Sequence, residues 1–395
     1  MPYEKTRHET AYRRDRAGGN AMTTEDDDAR EGRPAPGIVK PLPPELFTEH
    51  ETNAEMRWEA MGDVGFHVPN ERFFVRNHTR TPIVDAETWQ LRLHGSGLAA
   101  PRSFGYRELL ALPSVTRDAA IECAGNGRSL FASQQHRRAE GTPWGLGGIG
   151  VARWRGVPLA TVLERSGLTP DAVDVMARGL DPVYVTDDGV DYGRVRRPIP
   201  VAKAMHDVLL AYEMNGEPLP PDHGHPVRLV VPGWIGLASI KWVGDIEVSA
   251  APLFSPWNTE FYRMFGDAYP PGGGPPLTVQ GVRSAFELPW DATLTAGRPH
   301  VLRGRSWSGG GRIADVEVSL DGGAHWQRVA LRGPNTAAAW TRWQVVWRPE
   351  RTGPHLLLAR ATDETGAVQP DRTPHNDFGY LFDAVVRHPV TVVDG

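Results

Sequence analysis

Cysteine is almost absent: Cys123 is the only one among 395 residues. Without a second thiol the chain forms no internal disulfide and needs no oxidising compartment, so a cytoplasmic location is expected. Also missing is any run of the roughly eighteen apolar residues that a membrane-crossing helix requires, and no membrane partner is expected. Arg13-Arg14 resembles the start of a twin-arginine export signal, but Asp15, Arg16, two glycines and Asp26-Asp27-Asp28 follow it, and a signal peptide needs a hydrophobic core. There is no basic surplus: the net charge is -5 and Lys and Arg are scattered, which argues against nucleic acid as a partner. Cys-x-x-Cys and His-Glu-x-x-His spacings are lacking, so the nearby His223 and His225 make a poor zinc site.

What is present fits an enzyme-sized globular chain, with 40% hydrophobic content and more residues than one core usually organises. Residues 1–40 are charged, poor in aliphatics and end near Pro34-Ala35-Pro36-Gly37; such a composition reads as a disordered tail. From about 41 to 250 strands and short helices alternate. Trp89–Leu93 has a strand period, Ser103 is placed to cap a helix through Leu110 that must stop before Pro113, and Pro158–Ser166 followed by Gly167 has the asymmetry of a helix. Val208–Met214, a turn at Asn215-Gly216, Val227–Val231 and Ser239–Ser249 add strands. Residues 251–276 form a linker ending in Pro270-Pro271-Gly272-Gly273-Gly274-Pro275-Pro276. Beyond it, Val316, Val318 and Leu320, then Trp343, Val345 and Trp347, alternate as strands; residues 277–395 read as an immunoglobulin-like sandwich without its cysteine pair. The fold class is α+β: a mixed α/β domain followed by an all-β sandwich.

Three segments carry candidate chemistry. Ile121-Glu122-Cys123-Ala124-Gly125-Asn126-Gly127-Arg128 runs from a strand into a turn of small residues that lets the backbone approach something bulky, with Arg128 near the sulfur. Cys123 is then an inert buried thiol, a nucleophile or a soft-metal ligand. Phe73-Phe74-Val75-Arg76-Asn77-His78 ends in three donors suited to an anion, although a solvated loop has the same look. Asp222-His223-Gly224-His225-Pro226-Val227-Arg228 leads on to Ser239-Ile240-Lys241-Trp242.

Together these segments resemble the sulfite oxidase family of molybdenum enzymes. The likeness continues through Ala152-Arg153-Trp154, Ala211-Tyr212-Glu213-Met214-Asn215-Gly216, Trp307-Ser308-Gly309-Gly310-Gly311 and Ser319-Leu320-Asp321-Gly322-Gly323, and the pieces stand in family order. The resemblance implies one molybdenum held by a single pterin, with Cys123 as the protein's metal ligand and no haem domain. Asn77, His78, Asp181, His223, Arg228, Ser239 and Lys241 match positions that contact the pterin. Arg76, Arg128 and Trp144 match the substrate pocket. Tyr262 matches a tyrosine beside the metal, with Tyr192 as its competitor. The implied reaction oxidises sulfite, passing electrons to an external acceptor, and the implied assembly is a homodimer through the carboxy-terminal domain. Trp307, Trp340, Trp343 and Trp347 are compatible with an apolar interface there, or with filling the sandwich core. Two departures stand out: Gly127 precedes Arg128 where the family has adjacent arginines, and Phe378 replaces an arginine of the sulfite pocket. Another oxyanion or a sulfoxide-like substrate thus stays open, as does, from the residues alone, a Cys-His hydrolase or thiol transferase or a binding module.

Overall fold

One mixed and one antiparallel sheet build the amino-terminal part of the computed structural model, which describes residues 37–395. In the first, the order is Arg196–Pro200, Asp174–Gly179, Val243–Ser249, Gln90–His94 and Arg102–Gly105; only Val243–Ser249 against Gln90–His94 is parallel. The second is antiparallel, with Glu217–Pro218, Leu209–Met214, Ile149–Pro158 and Val115–Glu122 in line and Arg228–Val230 also paired to Leu209–Met214. Its strands are buried on both faces: Ala119, Val151, Trp154, Leu209 and Ala211 have no measurable exposure, as continuous apolar runs predict. The turn at Asn215-Gly216 has φ of 57° and 87° at its two residues, the left-handed pair that a two-residue hairpin requires.

Several elements differ from the sequence reading. The tail was expected to reach residue 40; residues 1–36 lie outside the described residues, but Ile38 is buried and the Val39 and Lys40 amides donate to the Asp222 carboxylate at 3.0 and 2.8 Å. The short helix is Tyr106–Leu110, capped by Gly105 and the Glu108 carboxylate rather than by Ser103, which sits in a strand. The strand expected from Ser239 starts at Val243. Residues 239–242 form a loop instead, in which Trp242 takes a left-handed φ of 51°.

The carboxy-terminal part is the expected sandwich. One sheet runs Arg283–Phe286, His300–Trp307, Trp340–Trp347, Leu331–Arg332; the other runs Ala292–Thr295, His388–Val393, Gly353–Asp363, Ile313–Ser319, Gln327–Arg328. Phe286, Leu302, Val316, Val318, Trp343 and Leu357 fill the space between them. The tryptophans are spent inside the chain rather than on an outer interface. Trp343 is core, whereas the Trp307 indole N–H donates to Glu122 at 3.0 Å and that of Trp340 to the Phe66 carbonyl at 2.8 Å, tying the sandwich to the first part. Of the four, Trp347 alone keeps appreciable exposure. No helix among the described residues is long and apolar enough to cross a membrane.

Candidate functional site

The strand Val115–Glu122 is the second sheet's edge opposite Glu217–Pro218, and it delivers Cys123 to the wall of a cavity. The Cys123 amide donates to the Gly148 carbonyl at 2.8 Å, and its Sγ accepts the Gly125 N–H at 3.4 Å. No histidine nitrogen is hydrogen-bonded to this sulfur among the described residues, so the general base of a cysteine hydrolase is not in place.

The cavity that Cys123 lines is also cationic. Arg76, Arg228 and Lys241 line it, and none has a carboxylate within salt-bridge reach among the described residues. Arg228 is 4% exposed; its guanidinium donates to the carbonyls of His223 and Ser239, both at 3.0 Å. Burial lowers its pKa to about 9. Lys241 donates to the Asn77 side-chain oxygen and to the Asp222 carbonyl, and burial, then Arg228, pushes its pKa well down. For Arg76, burial also works against the charge, but the phenol of Tyr262 and the sulfur of Cys123 outweigh it and raise the pKa.

The two histidines are held neutral. His78 Nε2 accepts from Arg76 at 3.1 Å and from the Trp257 indole at 3.2 Å, and burial with Arg76 and Lys241 beside it depresses its pKa. His223 is 2% exposed and is depressed likewise, by burial, Lys40, Lys241 and Arg228. Its Nε2 has no hydrogen-bond partner, although buried polar atoms normally have one. Gly224 makes the crowding here feasible: at φ 107° a side-chain carbon would lie 2.9 Å from Arg228 Cβ. The Asp222 carboxylate, 1% exposed, secures the loop from behind by accepting from Val39, Lys40 and the Thr81 hydroxyl at 2.6 Å. Asp181 also lines the cavity, its pKa raised to about 6 chiefly by burial.

Tyr262 completes the wall. Its φ of 55° is left-handed, a conformation that costs an aromatic residue energy and collects at functional sites; Trp242, with the same property, lines the same cavity. The structure therefore gathers Arg76, Asn77, His78, Cys123, Asp181 and Tyr262 with His223, Arg228, Ser239 and Lys241. Arg128 and Trp144 lie outside that lining. Trp144 is packed against His50 and Phe74 at ring distances of 5.6 and 6.2 Å and reaches the cavity only through Phe74. Arg128 donates to the carbonyls of Phe378 and Thr142, both at 2.7 Å, and lies 5.6 Å from the Tyr380 ring centre. Tyr192 does not reach the cavity wall and packs on Tyr184 and Phe261.

Sequence reading missed Tyr380, stacked 5.1 Å from Tyr262, and Arg197, 2% exposed and donating to the carbonyls of Trp257 and Leu277. Tyr380 stands two residues beyond Phe378, which the sequence reading did single out, and that proximity was the available signal.

Comparison with known proteins agrees with this geometry. The oxidoreductase molybdopterin binding domain family matches residues 78–257, and the Mo-co oxidoreductase dimerisation domain family matches 281–392. Sulfite oxidase of Gallus gallus is 36% identical over 337 residues, which cover 81% of this chain and 71% of that protein. The chain belongs to the sulfite oxidase family. Mitochondrial sulfite oxidase of Rattus norvegicus is 35% identical over 83% of this chain, which spans only 59% of that relative's length. Among solved structures, the sulfane dehydrogenase SoxCD from Paracoccus pantotrophus superposes with a TM-score of 0.73 at 28% identity, covering 92% of both chains.

The cofactor of this sulfite oxidase family member is molybdopterin with molybdenum, and the residues fit it. A phosphate-bearing pterin rich in ring donors and acceptors would meet three cations that lack carboxylate partners and the orphaned His223 Nε2. No three His, Cys, Asp or Glu side chains cluster as a ligand set among the described residues.

Proposed function

We propose that this chain is a molybdenum oxidoreductase that oxidises a sulfur oxyanion, sulfite being the simplest, and passes two electrons to an external acceptor. The supporting observation is one cavity that joins the lone cysteine to Arg76, Arg228 and Lys241, cations with no carboxylate partner among the described residues. When bound, the cofactor supplies oxygen-atom transfer and holds the two electrons. In the reaction the substrate sulfur gains one oxygen, ultimately from water, with release of two protons and two electrons.

The chain's own groups have divided roles. Cys123 offers a soft sulfur ligand to the metal, oriented by the Gly125 N–H that its Sγ accepts. Arg228 and Lys241, with Asn77, His78, Asp181, His223 and Ser239, hold the pterin and its phosphate by charge-assisted hydrogen bonds. Arg76 draws the anion into the cavity and stabilises charge there, while Arg128, tied to the Phe378 and Thr142 carbonyls, adds positive charge from behind the wall. Burial raises the pKa of Tyr262, so its hydroxyl stays a donor at neutral pH. Trp144 acts from behind by fixing Phe74.

The match to the dimerisation domain supports a homodimer formed through residues 281–392, and the lone cysteine supports a cytoplasmic setting. Purification from a host that makes the pterin tests the whole reading. Molybdenum should accompany the folded protein, and sulfite should drive reduction of ferricyanide. Metal-free protein that retains full turnover, or loaded protein that reduces no acceptor with any sulfur oxyanion, contradicts it.

A further inference from the structure

A second, smaller cavity borders Cys123. Cys123 and Ala124 line it together with Arg283, Leu381 and Asp383 of the carboxy-terminal part, and its size suits about one water molecule. Arg283 is 3% exposed. Its Nη1 donates to the Glu122 carboxylate at 2.8 Å and to the Asn126 carbonyl at 3.0 Å, but Nε and Nη2 find no acceptor among the described residues. These two nitrogens form one edge of the guanidinium fork, whose face lies over the Trp307 ring at 5.2 Å. A buried donor normally has a partner, and here two neighbouring ones lack it beside a cavity.

Asp383 supplies the complementary group. One of its oxygens accepts from the Thr373 hydroxyl at 2.7 Å, and no protein donor meets the other among the described residues. Burial raises the pKa of this carboxyl and Arg283 pulls against it, yet the two side chains make no direct ion pair among the described residues. A polar contact across such a gap calls for a bridging water. Water can accept from both Arg283 N–H groups and donate to Asp383, about the number of partners that a buried water has. An anion fits worse, because Glu122 already balances Arg283 and Asp383 would face it.

The cavity adjoins a loop that the carboxy-terminal part grips on several sides. The Leu381 amide donates to the Ala124 carbonyl at 2.8 Å, with Leu381 at a left-handed φ of 50°. At Gly127, where φ is 85°, a side-chain carbon would lie 2.6 Å from Arg283 Nη2, so the guanidinium and the loop backbone are in close contact. A partner that fixes the Nε–Nη2 edge therefore also fixes the backbone that carries Cys123.

Resting on the reading of Cys123 as the metal ligand, we infer that Arg283 and Asp383 bind a single buried water beside the metal-binding loop, and that Asp383 is, through this water, a positioning residue for Cys123.

Crystals of the full-length protein, purified from a host that makes the pterin, test the site in wild type, Asp383→Asn, Asp383→Leu and Arg283→Lys. Wild type and Asp383→Asn, which keeps an acceptor, should show a water within hydrogen-bonding distance of Arg283 Nε and Nη2 and of the side chain at position 383. Asp383→Leu removes the acceptor and Arg283→Lys removes the fork while keeping the charge beside Glu122; neither should hold the water. In both, amide exchange across residues 123–128 should quicken at least about tenfold, the scale of one buried donor left unpaired. The electron paramagnetic resonance of the part-reduced metal should shift in these two variants and match wild type in Asp383→Asn. Arg283→Lys probes the water from its other end should Asp383→Leu not fold. Wild-type crystals with no water at Arg283, or a bromide soak that puts an anomalous peak there, overturn the site. A water that is lost without change in exchange or resonance overturns the positioning role. Absence of molybdenum from all four proteins contradicts the metal-ligand reading instead, and leaves the water to be decided by the crystals.

Discussion

Buried arginines meet two fates in this chain. At the seam between the two parts, Arg283 is paired with Glu122 at 2.8 Å and Arg305 with Glu287. Arg283 also donates to the Asn126 carbonyl at 3.0 Å, and Arg305 to those of Met61, Val64 and Gly65. In the cavity Arg228, as deeply buried as Arg283, has backbone carbonyls but no carboxylate. These two seam arginines are neutralised by carboxylates, whereas Arg228, which lines the cavity, is left to backbone carbonyls, as are Arg128 and Arg197 beyond its wall. An uncompensated buried charge is costly, and its persistence beside Cys123 marks a binding site more sharply than any single motif. Glu122 links the two regions: it precedes the cysteine in sequence and pairs across the seam, so the sandwich helps to fix the sulfur.

Breaking the seam should have the largest effect on stability. Glu122→Ala leaves Arg283 buried without its counter-charge and should cost about 3–5 kcal/mol, read as a lower urea midpoint with an unchanged slope. In the cavity the corresponding cut should be mild: Arg228→Met should change the stability of cofactor-free protein by less than about 1 kcal/mol, because lost carbonyl contacts are offset by relief of a buried charge. Its cost should instead appear in cofactor retention, with molybdenum per chain falling at least about tenfold. Equal destabilisation by the two substitutions would erase the contrast. Smallest of all should be Arg107→Ala, which removes an ion pair to Glu87 whose side chains are 83% and 65% exposed; thermal unfolding should show a change below about 0.5 kcal/mol.

Local patterns were readable before the fold was known. The alternation of Val316 and Val318 became the strand Ile313–Ser319, and Asn215-Gly216 became the expected turn. Motif order was enough to group Asn77, Cys123, His223, Arg228 and Lys241 although long stretches of sequence separate them. Other features were hidden because they exist only in three dimensions. Glu122 and Arg283 are 161 positions apart, and nothing near either one names the other. Residues 239–242 have the apolar content of a strand, yet the loop that presents Ser239 and Lys241 to the cavity wins, with Trp242 in a conformation its own preference opposes. Tyr192 on Tyr184 and Tyr380 on Tyr262 gain their places from tertiary packing alone.

The most direct test is X-ray absorption at the molybdenum edge of cofactor-loaded wild type and Cys123→Ser. If the pterin is held by the cavity's cations and the metal by this thiolate, the variant should retain its fold and show one molybdenum–sulfur bond fewer than wild type. The same number of sulfur neighbours in both proteins would contradict the assignment of Cys123.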